Sequence, residues 1–501
     1  MAMSEAAAPA DPVAAKCSRC GRDYPLDASL TRCRRCGGVL LIRYDYRRVA
    51  EHLSRESLSR RIPSVWKYSE LLPIRDLRHV VSLGEGGTYL HQCSRLVEHI
   101  GVKRILIKDE TTNPTGSFVD RGCTVAVSKA VESGAESICC GATGNMGASL
   151  SAYAAKAGIG ATIFLPKTLD IGKLYQMIAF GAKVELAPDY ESAVARAEHL
   201  NRQSLLITTQ NPYFMEGEKT TGYEIAEQMG WRLPDRIIVP MGSGGHLAMM
   251  KKAIDEFSEL GLIDPPTVKM TGIQAAGASP IVEAYNRNED AVEGITNGTD
   301  TLAHDISIES PSAGDLALDA IRSSRGDCAG VTDKEILEAA SLLAKSEGIF
   351  AEPAAASTIA GLKKLVETGA VDRDEEIICV ITGAGLKDPA AARRFVKKAR
   401  SVEIAIRSVE DRSLTTRLGP TKLRILEILS GKEAYGYEIR QQLEERFGTV
   451  VKIPVVYQHL KELEGIGLVR RSGVREVSGR PERQYYVLTE KGRISLERFR
   501  S

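Results

Sequence analysis

Four cysteines stand in two like hooks near the start of the chain: Cys17-Ser18-Arg19-Cys20-Gly21 and, twelve residues on, Cys33-Arg34-Arg35-Cys36-Gly37. Each CxxC followed by glycine makes a tight turn that aims two thiolates the same way, and two such turns supply the four ligands of a tetrahedral ion. Zinc suits the set, because a segment this short buries too little apolar surface to fold alone and bound metal contributes the missing free energy. Another tetrahedral metal or a redox thiol set is the alternative chemistry. Four sulfur ligands leave no open coordination position, so Cys17, Cys20, Cys33 and Cys36 are expected to hold a structural zinc that catalyses nothing.

Three glycine-containing segments each follow an apolar strand candidate. Thr143-Gly144-Asn145-Met146-Gly147 opens a helix and offers an amide side chain. Gly242-Ser243-Gly244-Gly245-His246 also opens a helix, and such a start surrounds a phosphate with backbone N–H donors. Thr382-Gly383-Ala384-Gly385 places a hydroxyl at a strand's carboxyl end. Neither glycine-rich loop has the spacing of a Walker or Rossmann fingerprint, so a phosphate-bearing ligand and close-packed structural turns both remain open on these residues alone.

The chain's end has a different character. Residues 417–501 hold 17 Lys/Arg against 11 Asp/Glu, whereas the whole chain is nearly neutral at +1. Ile453, Val456, Leu460 and Leu463 form one stripe of a helix and leave Tyr457, Gln458 and Lys461 outward, an arrangement that can lie in a DNA major groove. Arg470, Arg471, Arg475, Arg480 and Arg483 gather around a strand–loop–strand segment, where they would neutralise phosphates. Contact with another protein is the alternative use of such a unit.

The positioning elements follow from pattern. In the body, strands at Arg104–Ile107, Ser137–Cys140, Gly160–Leu165, Arg236–Pro240 and Glu376–Ile381 alternate with helices such as Met146–Ala157 and Tyr223–Met229, the rhythm of an α/β fold with a largely parallel sheet. Its length predicts two lobes with a cleft. The expected divisions are a disordered leader (1–16), the zinc ribbon (17–45), a connector (46–80), the two-lobed body (81–395), a linker (396–416) and a winged helix (417–501). A chain that is 43% hydrophobic and 26% charged is not disordered as a whole. The absence of an 18-residue apolar run argues against a membrane span. Cysteines grouped for metal, not spread as a disulfide framework, point to a reducing, cytoplasmic setting.

Motifs in the body resemble threonine synthase, a fold type II pyridoxal-phosphate enzyme of tryptophan-synthase-β-like architecture. They are Leu83-Gly84-Glu85-Gly86-Gly87-Thr88, Lys108–Gly122, Gly172-Lys173-Leu174, Gln274–Pro280, Gly348–Pro353 and Thr382–Pro389, together with the three segments above. The resemblance covers about residues 17–390. It implies that Asn145 meets the cofactor's 3′ oxygen, that Gly242, Ser243, Gly244, Gly245 and His246 cradle its phosphate, and that Thr382 faces its pyridine nitrogen. His246 departs from the asparagine usual there.

A larger departure lies between Phe118 and Asp120-Arg121-Gly122. There the family has its Schiff-base lysine, and this chain has Val119. Valine can neither bond the cofactor nor move a proton, and a missing acid–base group alone is worth about 10²–10⁴-fold. The block from Gly436-Tyr437-Glu438-Ile439 to Leu488-Thr489-Glu490-Lys491-Gly492 resembles the PadR family of winged-helix regulators, which implies binding of double-stranded DNA by a homodimer. Two readings follow. In the first, the chain is a catalytically impaired, ligand-sensing transcriptional regulator that binds pyridoxal phosphate or a phosphorylated amino acid non-covalently. In the second, it is an active lyase or synthase, making threonine and phosphate from O-phosphohomoserine or running a related β-replacement or elimination, with Lys108, Lys173 or Lys387 as a relocated lysine.

Overall fold

Short runs of β-branched residues, apolar on both faces, form strands that must be covered by helices on both sides, and the body is built that way. The computed structural model describes residues 12–142, 144–167, 171–200, 204–295, 298–391, 418–477 and 480–500. The chain divides into two compact units, Met1–Phe395 and Val396–Ser501. In the first, a six-stranded sheet runs in the order Cys328–Val331, Lys269–Ala275, Arg236–Pro240, Glu376–Ile381, Arg104–Asp109, Tyr89–Gln92. All its pairings are parallel except the last. Separate apolar clusters cover it, one containing Val239, Ile378 and Met250, the other Ile107, Ile238, Ile377 and Ile359.

A second, all-parallel sheet of four strands, Lys183–Ala187, Gly160–Pro166, Ser137–Gly141 and Leu205–Leu206, makes the smaller lobe. Helices Val119–Glu132 and Asn145–Ala157 pack on one another beside it. The two sheets are the two lobes expected from length and rhythm, and the fold is α/β throughout.

The stretch expected as a leader differs from that reading. Pro12–Cys17 is a strand, antiparallel to Leu40–Tyr44 and to Asp23–Tyr24, so the ribbon begins before its first cysteine; residues 1–11 lie outside the described set. The physical reason is alternation: Ala15 and Cys17 turn inward onto Leu40 and Leu30. The connector is also more than a tether. Its helices Tyr46–Ala50 and Arg55–Ser59 and the tight helical turn Val65–Leu71 bury Val49, Leu58, Val65, Tyr68 and Leu71 in the main core. The expected linker, 396–416, lies outside the described residues.

The second unit contains helices Pro420–Gly431, Gly436–Phe447 and Ile453–Gly465, an antiparallel hairpin Val469–Val477 and Arg480–Leu488, and a closing helix Glu490–Arg500. A short strand, Ala434–Tyr435, pairs with the hairpin's second strand. This is a winged helix. Leu426, Ile439, Val456, Leu460 and Leu463 form its core.

Candidate functional site

Five segments meet at the strand ends of the body. The segment Gly116–Phe118 runs beside Thr382–Ala384: Phe118 N donates to Thr382 O at 3.0 Å, and Ala384 N donates to Gly116 O at 2.9 Å. Glu352 joins them, its N donating to Gly383 O at 3.0 Å. Asn145, first residue of its helix, donates through Nδ2 to Glu352 Oε1 at 2.9 Å. The turn Gly242–His246 is tied in by a ring stack, Phe118 on His246 with centroids 4.2 Å apart. Asn145, Thr382 and the Gly242–His246 turn, far apart in sequence, therefore converge around position 119; Thr143 lies outside the described residues.

The turn has a local cause. Gly244 has φ +87°, and a Cβ there would meet Ala317 Cβ at 2.7 Å, so only glycine lets the strand Arg236–Pro240 hand over to the helix Gly245–Glu259 here. That helix start leaves backbone donors facing the site. His246 Nε2 lies 3.1 Å from Thr221 Oγ1, while its Nδ1 is buried without a partner. Burial pulls the imidazole's pKa down to about 3, so the ring is neutral near pH 7. Asn145 Oδ1 is likewise buried and unpartnered. Two orphaned polar atoms beside a free helix start fit a polar ligand and are costly without one.

Val119 opens the helix Val119–Glu132 and is 8% exposed. It belongs to an apolar cluster with Val81, Cys123, Ala126, Met146 and Phe214. The three lysines that could stand in for an amine are all buried. Lys108 Nζ donates to Glu224 Oε2 at 2.6 Å, Thr88 O at 2.8 Å and Gln228 Oε1 at 3.0 Å. Lys173 pairs with Asp305 and lies 3.7 Å from Glu352; burial would lower its pKa, but these two carboxylates outweigh burial and hold it up. Lys387 Nζ donates to two neutral acceptors, Thr115 O at 2.6 Å and Gln176 Oε1 at 3.1 Å, and burial lowers its pKa.

Sequence reasoning missed Glu352 as a site residue, although it lies within the motif Gly348–Pro353. Burial and the charge of Asp305 push its carboxyl up to about 7, with Lys173 and Lys387 opposing. Beside this cluster opens a cavity of about 680 Å³, lined among others by Lys173, His304, Ser307 and Asp388.

Residues 81–383 match the family described as pyridoxal-phosphate dependent enzyme. The chain belongs to that family. The threonine synthase of Methanocaldococcus jannaschii is 45% identical over 392 residues, covering 77% of this chain and 96% of that protein. The threonine synthase of Methanosarcina acetivorans is 42% identical over 400 residues, covering 79% and 97%. Among solved structures, maize serine racemase (TM-score 0.53, 19% identity, 62% of this chain and 92% of that one) shares the fold. So does the processed form of threonine deaminase isoform 2 from Solanum lycopersicum (0.53, 22%, 62% and 88%). As a member of this family, the chain presents fold type II architecture, and the convergence around position 119 is where that architecture gathers its polar groups.

In the ribbon, the sulfurs of Cys17, Cys20, Cys33 and Cys36 all lie within 4.8 Å of one another. The Tyr24 hydroxyl, 3.1 Å from Cys33 Sγ, brings that thiol's pKa down to about 5 and so favours the ligating thiolate.

Residues 425–498 match the transcriptional regulator PadR-like family. In this unit Gln458 and Lys461 are exposed on the third helix. Tyr457 departs from the expected outward face: its ring lies over Gly436, where a Cβ would come within 2.5 Å of it, and it packs on the core. The absent side chain at Gly436 makes room that the ring fills. Arg483 stacks its guanidinium 4.4 Å from the centre of the Tyr435 ring. The Arg475 and Arg480 side chains lie outside the described residues. Among the described residues, no helix is long and apolar enough to cross a membrane.

Proposed function

We propose that the chain is a ligand-sensing DNA-binding regulator, whose body holds pyridoxal phosphate or a phosphorylated amino acid without a bond to lysine. One observation carries this reading: a hydrocarbon side chain, packed in an apolar cluster, occupies position 119 while Asn145 Oδ1 and His246 Nδ1 stay buried and unpartnered beside it. A cleft that keeps its polar contacts and lacks its amine can bind what it cannot process. The Gly242–His246 turn would hold the phosphate, Asn145 would accept from the ring hydroxyl, and the Thr382 hydroxyl would face the ring nitrogen. Bound pyridoxal phosphate supplies an electron sink for bonds at an amino acid's α-carbon, but Val119 offers no group to take the proton there.

A DNA reader serves a sensor, and the exposed Gln458 and Lys461 supply base and phosphate contacts in a unit used as a homodimer. The test is the affinity of the full chain for DNA selected on it in vitro, with and without saturating pyridoxal phosphate or O-phosphohomoserine. A change of at least about 5-fold with one of them is expected, the lower end of ordinary coupling. Equal affinity with both and with neither overturns the reading. Lys461→Ala should weaken binding to all sequences and flatten the salt dependence by about one unit of slope.

The working-enzyme reading rests on one specific observation. Lys387 is the one of the three buried lysines whose hydrogen bonds go only to neutral acceptors, so it is the amine with least to give up.

The four cysteines complete the proposal as a structural zinc site. The purified chain should carry about one zinc per ribbon. Cys33→Ser should lose it and also lose hydrogen-exchange protection across Pro12–Cys17 and Leu40–Tyr44, as read by elemental analysis and exchange mass spectrometry.

A further inference from the structure

Glu218 ends the helix Pro212–Glu218, is 5% exposed, and carries a carboxyl that no donor or cation reaches among the described residues. Its Oε2 lies 3.6 Å from the point where a Cβ on Gly245 would stand, and Ser243 Oγ lies 3.9 Å from the same point. The acid is thus aimed at the start of the 15-residue helix Gly245–Glu259, where His246 Nδ1 is also buried and unpartnered. An isolated carboxyl and an orphaned ring nitrogen at one helix start are two independent signs of a missing polar ligand.

The neighbours do not neutralise it. On the helix Val119–Glu132, Arg121 is committed to Glu110 and Glu224. Asp120 on that helix already accepts from Thr115 and Ser149. Burial drives the Cys123 thiol well above its usual range, with the charge of Glu218 adding. Lys219, which follows Glu218 in the chain, pairs with Glu216 and Glu256. Lys252 pairs with Glu216, and Tyr44 of the strand Leu40–Tyr44 donates to Glu216 as well. His246 is neutral. Burial therefore acts on Glu218 unopposed and raises its pKa to about 8.

We propose that Glu218 couples binding of a phosphate monoester at the Gly242–His246 turn to the uptake of one proton, so that this chain's hold on phosphate-bearing ligands weakens as pH rises. The inference rests on reading that turn as the phosphate cradle. Protonated, the carboxyl is an O–H donor beside the phosphate oxygens. Ionised, it sets a negative charge against a dianion in a site poor in water, where repulsion is barely screened. The phosphate's own second ionisation, near pH 6, is complete across the range in question and adds no slope there.

The experiment is calorimetric titration of the full chain and of Glu218→Gln with pyridoxal phosphate between pH 7 and 9.5, in buffers of differing ionisation heat. Pyridoxal, which lacks the phosphate, is the control. For the unmodified chain, Kd should rise by about 30-fold across the range, with close to one proton taken up at pH 9. Glu218→Gln should change by less than about 3-fold and take up none beyond what the ligand itself titrates. Pyridoxal should bind weakly, with no difference between the chains. Parallel pH profiles in the two chains, or no proton uptake by the unmodified chain, overturn the proposal and leave the cofactor reading standing. Failure of pyridoxal phosphate to bind either chain at any pH overturns both. The proton count is made on the unmodified chain, so it stands even if the variant folds poorly.

Discussion

If the body holds pyridoxal phosphate without a bond to lysine, as proposed, Val119→Lys should turn it into one that bonds the cofactor. The lysine would stand at the first residue of the helix Val119–Glu132, one residue after Phe118, whose backbone meets Thr382 and whose ring stacks on His246. After addition of the cofactor, the variant should be coloured and should retain the label at residue 119 on borohydride reduction. It should also release phosphate from O-phosphohomoserine at least about 10²-fold faster than the unmodified chain, the lower bound for a positioned acid–base group. Without cofactor, the variant should melt below the parent, because an amine placed among Val81, Cys123 and Met146 is desolvated. Added pyridoxal phosphate should recover that loss by mass action, about 2.7 kcal/mol at a hundredfold excess over Kd. A variant no more active and no more coloured than its parent would mean that more than one residue separates the body from its catalytic relatives.

The second large effect concerns what holds that helix in place. Arg121, fully buried two residues after Val119, donates to Glu110 Oε2 at 2.6 Å and Oε1 at 2.8 Å. It also donates to Glu224 Oε1 at 2.6 Å, Glu224 Oε2 at 2.8 Å, Thr220 Oγ1 at 3.1 Å and Thr88 Oγ1 at 3.0 Å. Burial alone would raise both glutamates; Arg121, helped by Lys108, outweighs it and holds them ionised. Arg121→Met leaves two buried carboxylates facing Lys108 alone and should cost about 3–5 kcal/mol, the usual price of breaking a buried ion pair from one side. Chemical denaturation should show the loss. Glu110→Gln in the same background should recover part of it by removing one uncompensated charge. A loss under about 1 kcal/mol would mean that water enters the cluster. The same network explains why Lys108 is a poor substitute amine: its three hydrogen bonds are part of the scaffold.

Much of the body was legible in sequence because buried parallel strands announce themselves as apolar runs. Arg236–Pro240 and Glu376–Ile381 have the bounds their residues suggest. In the winged helix, the helix Gly436–Phe447 is closed by Gly448 in the left-handed conformation. What pattern could not give was placement across the chain. Pro12–Ala15 reads as an Ala/Pro leader until Leu40–Tyr44 pairs with it. Tyr457 reads as a groove-facing residue on helical periodicity, yet the bare backbone at Gly436 draws it inward. Glu352 has only its place in the motif Gly348–Pro353 to mark it, and Glu218 carries no local sign of its importance. Each matters through burial against loops far away in sequence, Glu352 beside Asn145 and Glu218 beside Gly245. Asn145, Thr382 and His246 stand in glycine-containing segments visible in the pattern, the resemblance gives them their expected roles, and the sharpest signal is the departure at Val119.

The most direct measurement is a peptide mass map of the unmodified full chain after incubation with pyridoxal phosphate and reduction with borohydride. The account predicts no stoichiometrically labelled lysine and no threonine formed from O-phosphohomoserine, while the ligand still protects the body from thermal unfolding. A single lysine labelled to completion, at Lys387 or elsewhere, in a chain that turns the substrate over at an enzymatic rate, would contradict it.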